Sequence, residues 1–114
     1  MVVSQLSDAE ADRIFHSLAD ATRRDIVVQV MRQEQSVSSL ARRYDMSFAA
    51  VQKHVAVLER ATLVVKERRG REQVVHGNPE VLRKAARLLD AYEQIWRHRV
   101  SSIEEILSEE EKCQ

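Results

Sequence analysis

The stretch from Ser36 to Gly77 leaves this chain few ways to fold. Val37, Leu40 and Ala41 recur at helical spacing, with Arg42 and Arg43 pointing the other way. Asp45-Met46-Ser47 breaks the pattern, and Val51, Val55 and Leu58 begin a second apolar row of the same period. Ser36 and Ser47 each stand just before a row. A serine oxygen there accepts the free N–H groups of a helix's first turn, so both positions suit caps. Leu63-Val64-Val65 and Val74-Val75 are β-branched runs on either side of Gly70, as in a hairpin. Either Arg69-Gly70 or Gly70-Arg71 can be the tight turn, so the register stays open.

Two short helices joined by a tight turn and followed by a basic hairpin form a helix-turn-helix with a wing. Such a module docks its second helix in the major groove of duplex DNA. The expected recognition helix runs from Ser47 to about Arg60, within a helix-turn-helix spanning 36–60, with the wing at 63–77. If Val51, Val55 and Leu58 are buried, then Phe48, Ala49, Gln52, Lys53 and Ala56 face outward. Gln52 can bond adenine through two hydrogen bonds, and Lys53 can bond guanine or a phosphate. Ala49 and Ala56 are small enough for close approach, and Ala49 or Phe48 can meet a thymine methyl. Ser47 and the helix N-terminus suit a phosphate.

Other candidates carry two readings each. His54 lies beside the buried row, where it either reaches a phosphate or holds the turn by a hydrogen bond. Arg42 and Arg43 are ordinary surface charges or contacts to the DNA backbone. Lys66, Arg68, Arg69 and Arg71 surround Gly70, and a basic hairpin tip fits a minor groove or the phosphates. The same charges would also protect an edge hairpin from aggregation. Arg69 and Arg71 flank the turn and are the favoured DNA contacts.

The flanking segments also read as helices. Ser7 and Glu10 make a capping-box pattern ahead of Ala11, Ile14, Phe15 and Leu18. Asp20 can cap a helix whose stripe is Ile26, Val27, Val30 and Met31. Asn78-Pro79 marks another helix start. The last apolar row runs Leu82, Ala85, Leu89, Tyr92, Trp96, Val100, Ile103 and Leu107, in steps of three and four. About 28 residues at about 1.5 Å each give roughly 42 Å, longer than a compact domain of this size. The projecting apolar part needs a cover, and a second copy is its simplest source. The expected fold is therefore α+β and mostly α: a winged helix-turn-helix with about five helices and one two-stranded hairpin. The whole chain, 1–114, forms one domain. Segments 1–19 and 79–110 are its dimerisation helices, contacting a partner through Ile14, Phe15, Leu89, Tyr92, Trp96, Val100, Ile103 and Leu107.

Charge supports this division. The 114 residues carry 18 basic and 18 acidic side chains, so the total names no partner. The window from Ser36 to Gly77 carries roughly +4, whereas the segment from Ser101 onward carries roughly −4. Cys113 is the only cysteine, so no internal disulfide can form. The start, MVVSQLSDAEAD, lacks the basic and apolar regions of a signal peptide. No apolar run approaches the roughly 20 residues of a membrane span. A soluble, cytoplasmic protein without a membrane partner is expected. With two glycines there is little room for a phosphate loop, and no nucleophile motif occurs, so an enzyme is not expected. A protein-interaction module on a winged-helix scaffold remains the competing reading.

These residues resemble the ArsR/SmtB family of bacterial winged-helix repressors. The likeness is carried by Leu18-Ala19-Asp20-Ala21-Thr22-Arg23-Arg24-Asp25-Ile26, Ser38-Ser39-Leu40-Ala41 and Met46 through Leu58, then Leu63-Val64 and Arg69-Gly70-Arg71. Leu89-Asp90-Ala91-Tyr92 with Ile95-Trp96 looks like a branch without metal sites. The resemblance implies a homodimer held by the first and last helices, bound to an inverted repeat of double-stranded DNA and usually repressing. Two positions depart from the pattern: Gln52 stands where serine is usual, and Thr62 where glycine is usual. A glycine there often adopts positive φ, so Thr62 suggests a different local turn. Thiolate ligands are missing between Ser36 and Met46, and Asp90, Glu93, His98 and Glu104 lack the family's metal spacing. No metal and no cofactor is expected. Tyr92 and Trp96, one turn apart, suit dimer core better than an effector pocket, and no effector can be named.

Overall fold

The computed structural model describes residues 6–112. Cys113 lies outside the described residues. The elements are α1 (Asp8–Ser17), α2 (Ala21–Arg32), β1 (Gln35–Ser36), α3 (Val37–Arg43), α4 (Phe48–Arg60), β2 (Val64–Arg69), β3 (Glu72–Gly77) and α5 (Pro79–Lys112). The architecture is a mostly helical winged helix-turn-helix.

Short polar side chains set the helix starts. Ser7 accepts from the Glu10 N–H at 3.1 Å while Glu10 accepts from the Ser7 N–H at 3.2 Å, a complete capping box. Asp20, Ser36 and Ser47 accept from the backbone of Arg23, Ser39 and Ala50 in the same way. The apolar rows then meet in one core. Ile26, Leu40, Val51, Val55, Leu58, Leu63 and Val75 are fully buried within it.

The sheet has one strand more than the hairpin expected. Strand order is β1-β3-β2, all antiparallel, with Gln35 opposite Val75 and Ser36 opposite Val74. β1 is two polar residues long, too short to show a periodic signal. The wing register places Arg69 opposite Glu72, so Gly70-Arg71 is the turn. Gly70 has φ +62° and is the only turn residue in the left-handed region, as the first position of a type II′ turn requires.

The end of α4 keeps the turn usual with glycine, not the different local turn that Thr62 suggested. Thr62 has φ 60° although its side chain is β-branched. Its N–H donates to the Glu59 carbonyl at 2.9 Å, and that of Leu63 donates to the Leu58 carbonyl at 3.1 Å. That pair of bonds is a Schellman motif, which normally places glycine here. The Thr62 hydroxyl donates to the Ala61 carbonyl at 2.6 Å.

Helix α5 leaves the core. Its 34 residues span about 51 Å, and the molecule measures 75 × 29 × 21 Å. Among the residues of this helix whose burial is described, Ala85 and Leu88 are the buried ones. Leu89, Tyr92, Ile95, Trp96, Ile103, Ile106 and Leu107 are all at least about half exposed, and Phe15 of α1 is 37% exposed. Val100 is partly buried. Ile14 departs from the expected contact set. It is 1% exposed and packs inside its own chain, so a partner has no access to it. Ile14 and Phe15 are neighbours on one helix turn and point about 100° apart, so one residue faces the core and the next does not.

Candidate nucleic-acid interface

With Val51, Val55 and Leu58 packed inward, α4 turns Phe48, Ala49, Gln52 and Lys53 outward. Phe48 and Gln52 border an open groove whose other walls are Val37 and Ser38 of α3 and Arg68, Arg71, Glu72 and Gln73 at the wing. One hollow thus joins the exposed face of α4 to the hairpin. Gln73 lies opposite Arg68, and its Oε1 is buried without a hydrogen-bond partner. Ser38 stands in a family-like stretch that assigned it no role of its own, and Gln73 has no distinguishing pattern in the sequence. Their position depends on the sheet register and on α3 packing beside β3.

Ser47 caps α4 with its oxygen, leaving the hydroxyl proton to donate outward. Lys53, Arg42 and Arg71 are exposed and make no ion pair among the described residues. Arg43 lies 3.9 Å from Asp25 with both side chains about half exposed, a weak pairing. Asp25 also accepts the Tyr44 hydroxyl at 2.6 Å, which ties the turn after α3 to α2. Burial, reinforced by that carboxylate, holds the Tyr44 phenol above its usual range.

The hairpin sorts its cations by alternation. Val64, Lys66 and Arg68 share one face of β2, whereas Val65, Glu67 and Arg69 share the other. On the first face Lys66 sits 3.8 Å from Glu59 of α4, and Arg68 donates to the Gly70 carbonyl at 3.3 Å. On the second face Arg69 bonds Glu34 at 2.6 and 3.1 Å and Glu67 at 3.2 Å. Hydrogen bonds from Arg69 hold the Glu34 and Glu67 carboxyls below their ordinary range, and those carboxylates raise the Arg69 guanidinium in turn. Arg69 was a favoured DNA contact from sequence. Its guanidinium instead braces the wing against the segment after α2. Lys66 is half-buried and paired, so Arg71 and Arg68 remain the wing cations beside the groove.

His54 makes an internal contact, to the α1–α2 junction rather than to the turn before α4. Its Nδ1 is 3.3 Å from a guanidinium nitrogen of Arg23 and 4.0 Å from Asp20. Arg23 can only donate, so in this pairing Nδ1 is the acceptor. Arg23 also donates to the Ser17 carbonyl at 2.7 Å and the His16 carbonyl at 3.2 Å, while Arg24 donates to the Leu18 carbonyl at 2.8 Å. These arginines close the carbonyl end of α1. His54 thereby fixes α4 to the α1–α2 junction. A basic pair three residues after a capping Asp was the available signal for it.

Among the described residues no group of three or more His, Cys, Asp or Glu side chains could hold a metal ion. No helix of these residues is long and apolar enough to cross a membrane.

Residues 20–66 match the family described as bacterial regulatory protein, arsR family. The chain is 31% identical over 99 residues to an HTH-type transcriptional regulator of Mycobacterium tuberculosis, covering 87% of this chain and 90% of the relative. This chain belongs to the ArsR family of winged helix-turn-helix transcriptional regulators. An ArsR-like transcriptional regulator from Rhodococcus sp. RHA1 superimposes with a TM-score of 0.75 at 36% identity, over 86% of this chain and 92% of the other. A Mycobacterium bovis domain described as homodimeric and DNA-binding shares the fold, with a TM-score of 0.63 at 21% identity, over 82% of this chain and 94% of the other. The family core from Asp20 to Lys66 holds α2, β1, α3, α4 and the first half of β2. It therefore includes the outward face of α4 but not Arg71.

Proposed function

We propose that this regulator works as a cytoplasmic homodimer that binds an inverted-repeat operator in double-stranded DNA and represses transcription from it. The observation that carries the reading is the groove between α4 and the wing. Gln52 and Phe48 line it beside Arg68 and Arg71, on the side of α4 opposite its buried row. Gln52 is positioned to read a base edge, and Ala49 allows close approach. Lys53, Arg42, Arg71 and the α4 N-terminus at Ser47 supply phosphate contacts. Phe48 offers an apolar surface to a thymine methyl.

The dimer rests on α1 and α5. Phe15, Leu89, Tyr92, Trp96, Val100, Ile103 and Leu107 form its contact surface, with Ile95 and Ile106 beside them. An apolar row of this length on an isolated chain is a strong signal of a covered face. The homodimeric description of the Mycobacterium bovis neighbour supports the assignment. Two recognition helices would then meet successive major grooves about 34 Å apart.

Selection of bound fragments from random duplex DNA tests the reading. A two-fold symmetric site with half-sites about 10 base pairs apart is expected. Failure to enrich any sequence at low salt would reject the DNA-binding role, and an enriched site without symmetry would reject the dimer.

A further inference from the structure

The structure has a second concave feature, at the foot of α4 and away from the wing groove. Glu10 and Arg13 of α1, Arg60 and Thr62 at the end of α4, and Val81 and Lys84 of α5 surround a cavity of about 120 Å³. A hollow of about 270 Å³ shares Arg13, Arg60 and Ala61 with it and is otherwise lined by His16 and Val57. The two adjoin across Arg13, Arg60 and Ala61 at the seam between α1 and α4, and are taken together as one cleft.

Its charge is unbalanced. Arg13, Arg60 and Lys84 contribute three positive charges against the single carboxylate of Glu10. That carboxylate is already committed to the Ser7 N–H. Arg13 and Lys84 act on Glu10 through space and make no hydrogen bond or ion pair among the described residues. The carbonyl end of α4 adds about half a negative charge, which still leaves roughly +1.5 around the cavity. Apolar side chains stand between the cations: Leu6, Ile14, Ala61 and Val81 in the cavity, and Val57, beside His16, in the adjoining hollow. Thr62, held at φ 60°, stands in the same wall. Strained non-glycine backbone of this kind gathers at ligand clamps.

We propose that this cleft binds a small organic monocarboxylate. Its charge sits among Arg13, Arg60 and Lys84, and its short apolar chain lies along Ala61 toward Val57. The clustered cations select the anion, and the apolar walls select the tail over a bare inorganic ion. One wall is the C-terminal cap of α4, so a bound ligand bears on the recognition helix. None of the nine residues around the cavity lies in the wing groove. The site therefore stands or falls apart from the DNA-binding reading.

An NMR titration of the isotopically labelled full chain with hexanoate tests the proposal, with hexan-1-ol and inorganic phosphate as comparison ligands. Hexanoate should give saturable amide shifts centred on Arg13, Ala61, Thr62 and Lys84. Hexan-1-ol and phosphate should each bind about tenfold more weakly or worse. Arg13→Gln and Lys84→Gln should each weaken hexanoate about tenfold, whereas Arg83→Gln, outside the cleft, should leave it unchanged. No saturable shift, shifts centred on the exposed row of α5, or equal binding of the alcohol or of phosphate would overturn the proposal. So would hexanoate binding that both cleft substitutions leave intact. The three-ligand comparison on the unaltered chain decides the matter even if a variant fails to fold.

Discussion

Helices α4 and α5 carry the same kind of apolar row but differ in what covers it. In α4, Val51, Val55 and Leu58 are 0% exposed. In α5, Leu89, Tyr92 and Trp96 are 52%, 55% and 62% exposed. The charged residues differ too. α4 presents Ala49, Gln52 and Lys53 to solvent beside a cationic wing, whereas α5 ends in Glu104, Glu105, Glu109, Glu110 and Glu111. Periodicity alone identifies a helix with an apolar side. Whether that side belongs to the core or to a partner depends on how far the helix outruns its own domain, and α5 outruns it by a wide margin.

The largest test of this contrast is the pair Leu89→Glu and Trp96→Glu together. Two anchors of an apolar interface are lost and four like charges face one another, so self-association should weaken about a thousandfold by sedimentation equilibrium. Helicity by circular dichroism should persist, because neither side chain is in the core. Leu58→Ala in α4 should instead cost about 2–5 kcal/mol of stability in denaturant titrations. Leu107→Ala, measured where the chains are dissociated, should cost less than about 0.5 kcal/mol. Equal costs at the two leucines would erase the distinction between the helices.

The wing gives a sharper version of the same comparison. Arg71→Ala should lower the slope of log affinity against log salt by about 1 in DNA-binding titrations, as should Lys53→Ala. Arg69→Ala should change that slope less, since its guanidinium is already neutralised by Glu34 and Glu67. Similar slopes for Arg69 and Arg71 would mean that the clamp opens on DNA.

Two smaller effects concern local structure. Thr62→Gly should stabilise the chain by about 1 kcal/mol in thermal melts, because it relieves a β-branched residue in the left-handed region. The Glu34–Arg69–Glu67 clamp has its own acid response. The folded carboxyls titrate below the ordinary 4.5, so the clamp's contribution is complete at neutral pH. It declines as the pH falls below about 4.5 and through the lowered values. Side-chain NMR of Arg69 should report that loss only in acid, and Glu34→Gln should weaken the clamp already at neutral pH.

The legible parts of this fold were those encoded locally. Ser7, Asp20, Ser36 and Ser47 announce helix starts because capping needs one side chain and three following residues. Gly70 announces a turn because positive φ is costly for other residues. What was not legible required partners distant in sequence. His54 meets Arg23 across 31 positions, and Arg69 meets Glu34 across 35. The split of the wing cations was implicit in strand alternation, but it needed a register that two possible turns left open. β1 carried no signal, since Gln35 and Ser36 become a strand only by pairing with β3.

Sedimentation velocity of the unaltered chain, alone and with a duplex recovered by selection, tests the central claim most directly. Two chains should travel together without DNA, and two chains per duplex with it, the complex dissolving as salt is raised. A chain that stays single at every concentration, or that leaves the duplex unbound in dilute buffer, would contradict the account.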